Sequence, residues 1–182
     1  MPFIFRHFEL FTPNYNTYKV NPSGRKILML YVGGTIGMVE SKSGYVPKKG
    51  YLEKQLNDIL KIHPKSKMIA EFHVKEYSPL LDSSNMSLKN WNQIITDIKD
   101  NYDKYSAFIV IHGTDTMAYS ASAVSFALEN LNKPVIFTGS QIPLQRVRND
   151  GQNNLICSLV LASNYSIPAV MIVFAGLILR GS

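Results

Sequence analysis

Two glycine-bounded hydroxyl motifs carry the residue types that could do chemistry. Gly33-Gly34-Thr35-Ile36-Gly37 closes the apolar run Ile27–Val32. Glycines let the backbone turn sharply and let a ligand come close, so Thr35 can present its hydroxyl there. A plain tight turn explains the same residues. The spacing lacks the full dinucleotide-binding fingerprint and brings no phosphate-loop lysine. His112-Gly113-Thr114-Asp115-Thr116-Met117 follows a second apolar run, Ala107–Ile111. It sets a hydroxyl beside a carboxylate at a helix start. Helix capping favours Thr and Asp at such a place, and a hydroxyl-plus-carboxylate site needs the same residues; neither reading excludes the other. A third polar cluster, Asp82-Ser83-Ser84-Asn85, precedes Ser87. Small hydroxyls near a helix amino end suit a carboxylate ligand, and a capped turn is the plainer account.

A threonine hydroxyl is a weak nucleophile until a neighbour takes or shares its proton. Tyr45, ten residues after Thr35 in a Gly/Ser-flanked loop, is one candidate, and Asp115 acting through another base is the second. A free tyrosine has a pKa of about 10 and needs help to act as a base near neutrality. His112 directly follows an apolar strand and reads as a hydrogen-bonded structural histidine rather than a base.

The elements that must position these residues alternate. Continuous apolar runs at 27–32, 107–111, 134–138 and 169–174 read as strands buried on both faces. A shorter stretch around Phe72-His73-Val74 is a fifth candidate. Helical spacing links Leu52, Leu56, Ile59 and Leu60. Ser87 can cap a helix that buries Leu88, Trp91, Ile94, Ile95 and Ile98, with Lys89 and Lys99 in water. Residues 117–130 pattern as a mostly buried helix through Val124, Phe126, Ala127 and Leu128, and another begins near Leu155. The expected fold is an α/β domain with a mostly parallel, mixed sheet flanked by helices. Ligands of such sheets bind beyond the carboxyl ends of the strands, where both hydroxyl motifs fall. Residues 1–24 show no sustained period and end in the turn-rich Asn21-Pro22-Ser23-Gly24, so they read as an extension outside the core.

The 182 residues are 46% hydrophobic and 18% charged, an ordinary globular composition. No apolar run reaches the roughly 18 residues of a membrane span, and residues 1–24 lack the pattern of a signal peptide. The single cysteine, Cys157, excludes an internal disulfide and a cysteine-rich metal site. These features read as an intracellular, cytoplasmic protein. The net charge of +6 is uneven: residues 1–70 hold 11 basic and 4 acidic residues, a net of +7. The lysines are scattered and form no stripe interleaved with aromatics, which argues against a nucleic-acid partner.

The two threonine motifs, in this order and about 80 residues apart, resemble the signatures of bacterial-type asparaginases. The segments Ser43–Pro47, Pro79–Met86, Leu128–Ile136 and Thr138–Leu144 resemble the cytosolic type I branch. The likeness covers residues 26–182, and residues 25–182 are similar to that family's amino-terminal catalytic domain. The resemblance implies hydrolysis of L-asparagine to L-aspartate and ammonia, with no cofactor or metal. By position it makes Thr35 the nucleophile of an acyl-enzyme and Tyr45 the loop tyrosine that positions or activates it. Thr114 and Asp115 match the second threonine and its aspartate. Asp82, Ser83 and Ser84 match the segment that binds the substrate's α-amino and α-carboxylate groups. It also implies a homo-oligomer for the full-length form.

One departure bears on activity. The family's threonine–aspartate pair works with a lysine in an Arg-Gly-x-Arg-x-Thr-Lys stretch, and Leu179-Arg180-Gly181-Ser182 matches only its beginning. The expectation is a chain cut before that lysine, without the smaller carboxyl-terminal domain and with little activity of its own. A non-catalytic binding or regulatory module on the same scaffold is the alternative. Two relatives are disfavoured: the tRNA-dependent transamidating subunit, for which 24 residues are too short an extra domain, and lysophospholipases, for which nothing speaks.

Overall fold

The computed structural model describes residues 15–42, 44–62 and 68–182. A short helix α1 (Tyr15–Tyr18) leads into strand β1 (Lys26–Gly33). A 3₁₀ turn (Thr35–Gly37) and a hairpin of β2 (Met38–Ser41) and β3 (Gly44–Pro47) follow, then α2 (Tyr51–Ile62) and β4 (Glu71–Leu81). The remainder runs α3 (Leu88–Asp100), β5 (Ala107–Ile111), α4 (Met117–Ala127), β6 (Val135–Thr138), α5 (Gly151–Asn164), β7 (Val170–Phe174) and β8 (Leu177–Arg180). The main sheet has the order β4-β1-β5-β6-β7-β8, parallel except for β8, which pairs antiparallel with β7. The mixed, mostly parallel α/β architecture expected from the alternating runs is therefore present.

Strand periodicity divides the core. Ile27, Met29 and Tyr31 of β1 point to the face covered by α2 and α5. Leu28, Leu30 and Val32 point to the face covered by α3 and α4. Successive side chains of a strand alternate in this way, so a strand covered on both faces must be apolar at every position.

The helix placement has a topological consequence. The steps β1→α2→β4, β4→α3→β5 and β5→α4→β6 share one handedness, given their directions along the sheet and the faces their helices cover. The step β6→α5→β7 moves the same way as its predecessor but puts its helix on the opposite face. Parallel crossovers are right-handed in the great majority of cases; with that hand for the first three, the α5 crossover is left-handed. The 12-residue segment 139–150 connects β6 to α5, and within it Leu144 N–H donates to Ile36 O at 3.2 Å.

The structure departs from the sequence expectation in four places. β4 is eleven residues long, not a short stretch around Phe72-His73-Val74. The Tyr45 segment is a strand of the β2–β3 hairpin rather than a loop. Tyr18, from the stretch read as lying outside the core, packs against the α5-side cluster, and Val20 N–H donates to Asn164 O at 2.8 Å. Residues 1–14 of that extension lie outside the described residues. Leu88 and Phe126, expected in the core, are 73% and 77% exposed. The inner sides of α3 and α4 already cover their face of the sheet, and Leu88 and Phe126 stand on their outer side, where the described residues leave them exposed.

Candidate active site

Four segments meet beyond the carboxyl ends of the parallel strands: the turn after β1, the Asp82–Asn85 turn after β4, the His112–Thr116 loop after β5 and the 139–150 segment after β6. The first and third are in backbone contact. A Cβ built on Gly34 would lie 2.6 Å from Gly113 Cα, and one on Gly113 would lie 2.3 Å from Ser83 Oγ. Glycine at both positions is what permits this approach. Thr35 and Thr114 each follow one of the touching glycines, so their side chains project from facing loops. Both threonines are half-buried, and neither hydroxyl bonds to a described residue.

Ser83 joins the β4 turn to this pair. Its Oγ donates to Asp115 Oδ2 at 2.9 Å, and its carbonyl accepts from Thr116 Oγ1 at 2.7 Å. Asp115 is exposed and retains acceptor capacity toward the cleft. Asp82 is occupied differently. Its Oδ1 accepts the Ser84 N–H at 3.0 Å and its Oδ2 accepts from Asn85 Nδ2 at 3.3 Å. The Ser84 backbone N–H, followed by the Ser84 hydroxyl, holds the Asp82 carboxyl below its ordinary range. Asp82 thus shapes the turn that presents Ser83 and Ser84.

Tyr45 stands on the hairpin, paired with Glu40 across it and 38% exposed. No hydrogen bond among the described residues joins it to Thr35. The hairpin is tied to the 139–150 segment through Glu40 N–H and Gln145 Oε1 at 2.7 Å. A cavity of about 600 Å³ opens beside this junction, lined by Glu40, Ile142, Gln145, Arg146, Val147 and Arg148. It includes neither threonine of the facing loops.

Sequence reasoning missed the residues that hold the 139–150 segment. The Asp150 carboxylate accepts the Gln141 and Ile142 N–H groups at 2.9 and 3.0 Å. Asn154, buried in α5, donates to Gly139 O and accepts from Ala175 N–H, each at 3.0 Å. Asn154 closes the polar run Gln152-Asn153-Asn154, so residue type alone does not single it out.

His112 is structural, as its sequence position suggested. It is 1% exposed. Its Nδ1 lies 2.7 Å from Gly113 O, which can only accept, so Nδ1 carries the proton. Nε2 then accepts from Ser120 Oγ at 3.0 Å, and that oxygen accepts from Trp91 Nε1 at 2.8 Å. Burial, first of all, pushes the imidazole pKa down; the Gly113 bond and the Asp115 charge oppose it without reversing it. The ring is neutral and committed on both nitrogens. His112→Leu is expected to cost about 2–3 kcal/mol in urea unfolding, because a buried carbonyl and a buried hydroxyl lose partners, while leaving turnover within about tenfold of wild type. A histidine whose folded pKa is depressed contributes fully above its unfolded value of about 6.5, and its contribution is lost as pH falls below that. Wild-type stability should therefore fall by up to about 1.4 kcal/mol per pH unit more steeply below pH 6.5 than that of the variant. Parallel stability–pH curves would remove this assignment.

The geometry sets two free threonine hydroxyls around a close glycine contact, with a serine-bonded carboxylate beside one of them. Such a set suits attack on an acyl carbon while the carboxylate holds a cationic group of the same molecule. Comparison with known proteins places the chain in a family. Residues 26–182 match the family model described as "Asparaginase, N-terminal". L-asparaginase 1 of Escherichia coli is 49% identical over 158 residues, covering 87% of this chain and 46% of that protein. An L-asparaginase of Dirofilaria immitis is 41% identical over 178 residues, covering 86% of this chain and 30% of that protein. The crystal structure of L-asparaginase I from Vibrio cholerae superposes with a TM-score of 0.77 at 48% identity, covering 86% of this chain and 46% of that one. This chain thus spans less than half the length of the relatives it matches. With its fold, its two facing threonine loops and this match over residues 26–182, the chain belongs to the asparaginase family.

Proposed function

We propose that the protein hydrolyses L-asparagine to L-aspartate and ammonia through an acyl-enzyme on Thr35. The Gly34–Gly113 backbone contact carries this reading, because it brings the Thr35 and Thr114–Asp115 loops face to face. In the proposed reaction Thr35 Oγ bonds to the side-chain amide carbon. The C–N bond then breaks, and the proton lost by the hydroxyl leaves with ammonia. Water attacks the resulting ester and returns Thr35 to its resting form.

Tyr45 positions or activates the Thr35 hydroxyl once the hairpin closes over substrate. The Thr114 side chain and nearby backbone N–H groups stabilise the oxyanion, each donor contributing about 3 kcal/mol in sites of this kind. Thr114 also places the attacking water. Asp115, already oriented by Ser83, accepts the substrate's α-ammonium, and the Asp82–Ser84 turn receives its α-carboxylate. No cofactor or metal enters these steps. The setting is cytoplasmic, and the working form is a homo-oligomer.

Among the described residues no Lys or Arg lies within ion-pair distance of Asp115. Without a cationic partner beside Asp115, Thr114 and Asp115 would be poorly activated for the second step. Ammonia release from L-asparagine, followed for the protein expressed from its complete gene and for the 182-residue chain alone, tests both statements. The first should turn over, and the second should run at least about 100-fold slower. Equal rates would refute the need for a cationic partner, and no release from either would refute the amidase reading.

A further inference from the structure

The segment after β6 touches the first half of the site at two successive residues. Leu144 N–H donates to Ile36 O at 3.2 Å, and Gln145 Oε1 accepts the Glu40 N–H at 2.7 Å. Ile36 directly follows Thr35 and is fully buried. Glu40 is the β2 residue paired with Tyr45 across the hairpin. One dipeptide thus bonds to the neighbour of Thr35 and to the partner of Tyr45. The dipeptide is itself held. Pro143 and Leu144 are buried, and the Asp150 carboxylate accepts the Gln141 and Ile142 N–H groups just before them. The far end of the hairpin has its own tie, from Gly50 N–H to Glu76 Oε2 at 2.9 Å. Among the described residues β2 and β3 pair only with each other. A lone two-stranded hairpin is marginal in water, so its orientation depends on groups that reach it from outside.

We propose that Gln145 is a positioning residue for the proposed reaction: its side-chain carbonyl anchors the Tyr45 hairpin beside the Thr35 turn. The inference rests on Tyr45 acting at the Thr35 hydroxyl. No hydrogen bond among the described residues joins Thr35 to Tyr45, so the backbone between them sets their separation. Residues directly opposite in an antiparallel pair lie about 5 Å apart, and holding Glu40 therefore holds the Tyr45 backbone. The direction of the Glu40 N–H is fixed once β2 has formed. Gln145 Oε1 meets it from a segment that is already bonded to Ile36. The Glu40–Gln145 bond lies in water, so breaking it unfolds nothing. A bond of this kind shifts a local equilibrium by roughly two- to tenfold. The same factor passes to turnover, because the rate falls with the fraction of molecules whose tyrosine stands within reach of Thr35.

Gln145→Met keeps the side-chain length and removes the acceptor, whereas Gln145→Glu keeps an acceptor oxygen. Both are made in the protein expressed from its complete gene. Gln145→Met should speed amide exchange over residues 38–47 by about fivefold, a readout that needs no turnover. It should lower kcat for L-asparagine about five- to tenfold with KM within about twofold, and Gln145→Glu should recover most of the loss. A double-mutant cycle shows whether Gln145 acts through Tyr45. Gln145→Met/Tyr45→Phe should be no slower than Tyr45→Phe alone. The proposal fails if exchange over residues 38–47 is unchanged in Gln145→Met, if kcat is unchanged or rises, or if the two losses multiply in the double variant. A wild-type protein that releases no ammonia, or a Tyr45→Phe protein as fast as wild type, would instead sink the reading of the reaction, and the exchange result would still report whether Gln145 holds the hairpin.

Discussion

With Thr35 as the proposed nucleophile, replacing it by alanine in the protein expressed from its complete gene should lower ammonia release from L-asparagine by about 10⁴-fold or more, the scale seen when a hydrolase loses its nucleophile. The fold should not notice. Thr35 is half-buried at the start of a 3₁₀ turn, and its hydroxyl holds no described residue. Removing it leaves no buried group unpaired, so the melting temperature should move by no more than a few degrees. Thr35→Ser keeps an oxygen nucleophile and gives up only the methyl group that restrains the side-chain rotamer. It should retain a measurable rate. The contrast separates Thr35 from Thr114. Thr114→Ala leaves the nucleophile in place and removes one oxyanion donor, with an expected loss of about 10²–10³-fold. If Thr35→Ala still releases ammonia within tenfold of wild type, the nucleophile lies elsewhere.

How far such a site can be read from the chain depends on what each residue's neighbours demand. The runs at 27–32 and 107–111 are legible because β1 and β5 are central strands, and burial on both faces removes every polar residue. β4 is an edge strand, and Glu71, His73 and Lys75 reach water on its exposed side. Its eleven residues therefore read as a fragment of three. The β2–β3 hairpin covers no core of its own, which leaves it no apolar period to betray it. Asp150 and Asn154 were invisible because their partners are backbone groups of the 139–150 segment and of Ala175. Leu88 and Phe126 failed for another reason. They are apolar, but among the described residues nothing supplies a surface that buries them. The two threonine motifs were legible as motifs, yet their meeting was not, since it depends on a backbone contact between residues 79 positions apart.

That contact makes Gly34 the residue outside the chemistry whose replacement should cost most. Gly34 has φ +97°, a backbone conformation that side-chain-bearing residues rarely adopt. A Cβ there would stand 2.6 Å from Gly113 Cα and 2.7 Å from Gly113 N. These are backbone atoms, so no side chain can swing aside, and one loop must move. Gly34→Ala should cost about 2–4 kcal/mol in unfolding free energy. The movement separates Thr35 from Thr114–Asp115, and displacements near 1 Å cost roughly 10²-fold in turnover. Strain and displacement are separable by control. Gly24 has φ +74° and Gly176 φ +78°, and neither has an atom within 4 Å of its built Cβ. Gly24→Ala and Gly176→Ala should pay only the conformational cost, about 1–2 kcal/mol, with turnover unchanged. Gly34→Ala should therefore lose stability and kcat together, whereas the controls lose stability alone. A Gly34→Ala protein that unfolds earlier but turns over at the wild-type rate would show that the glycine contact packs the loops without setting the distance between the reacting groups.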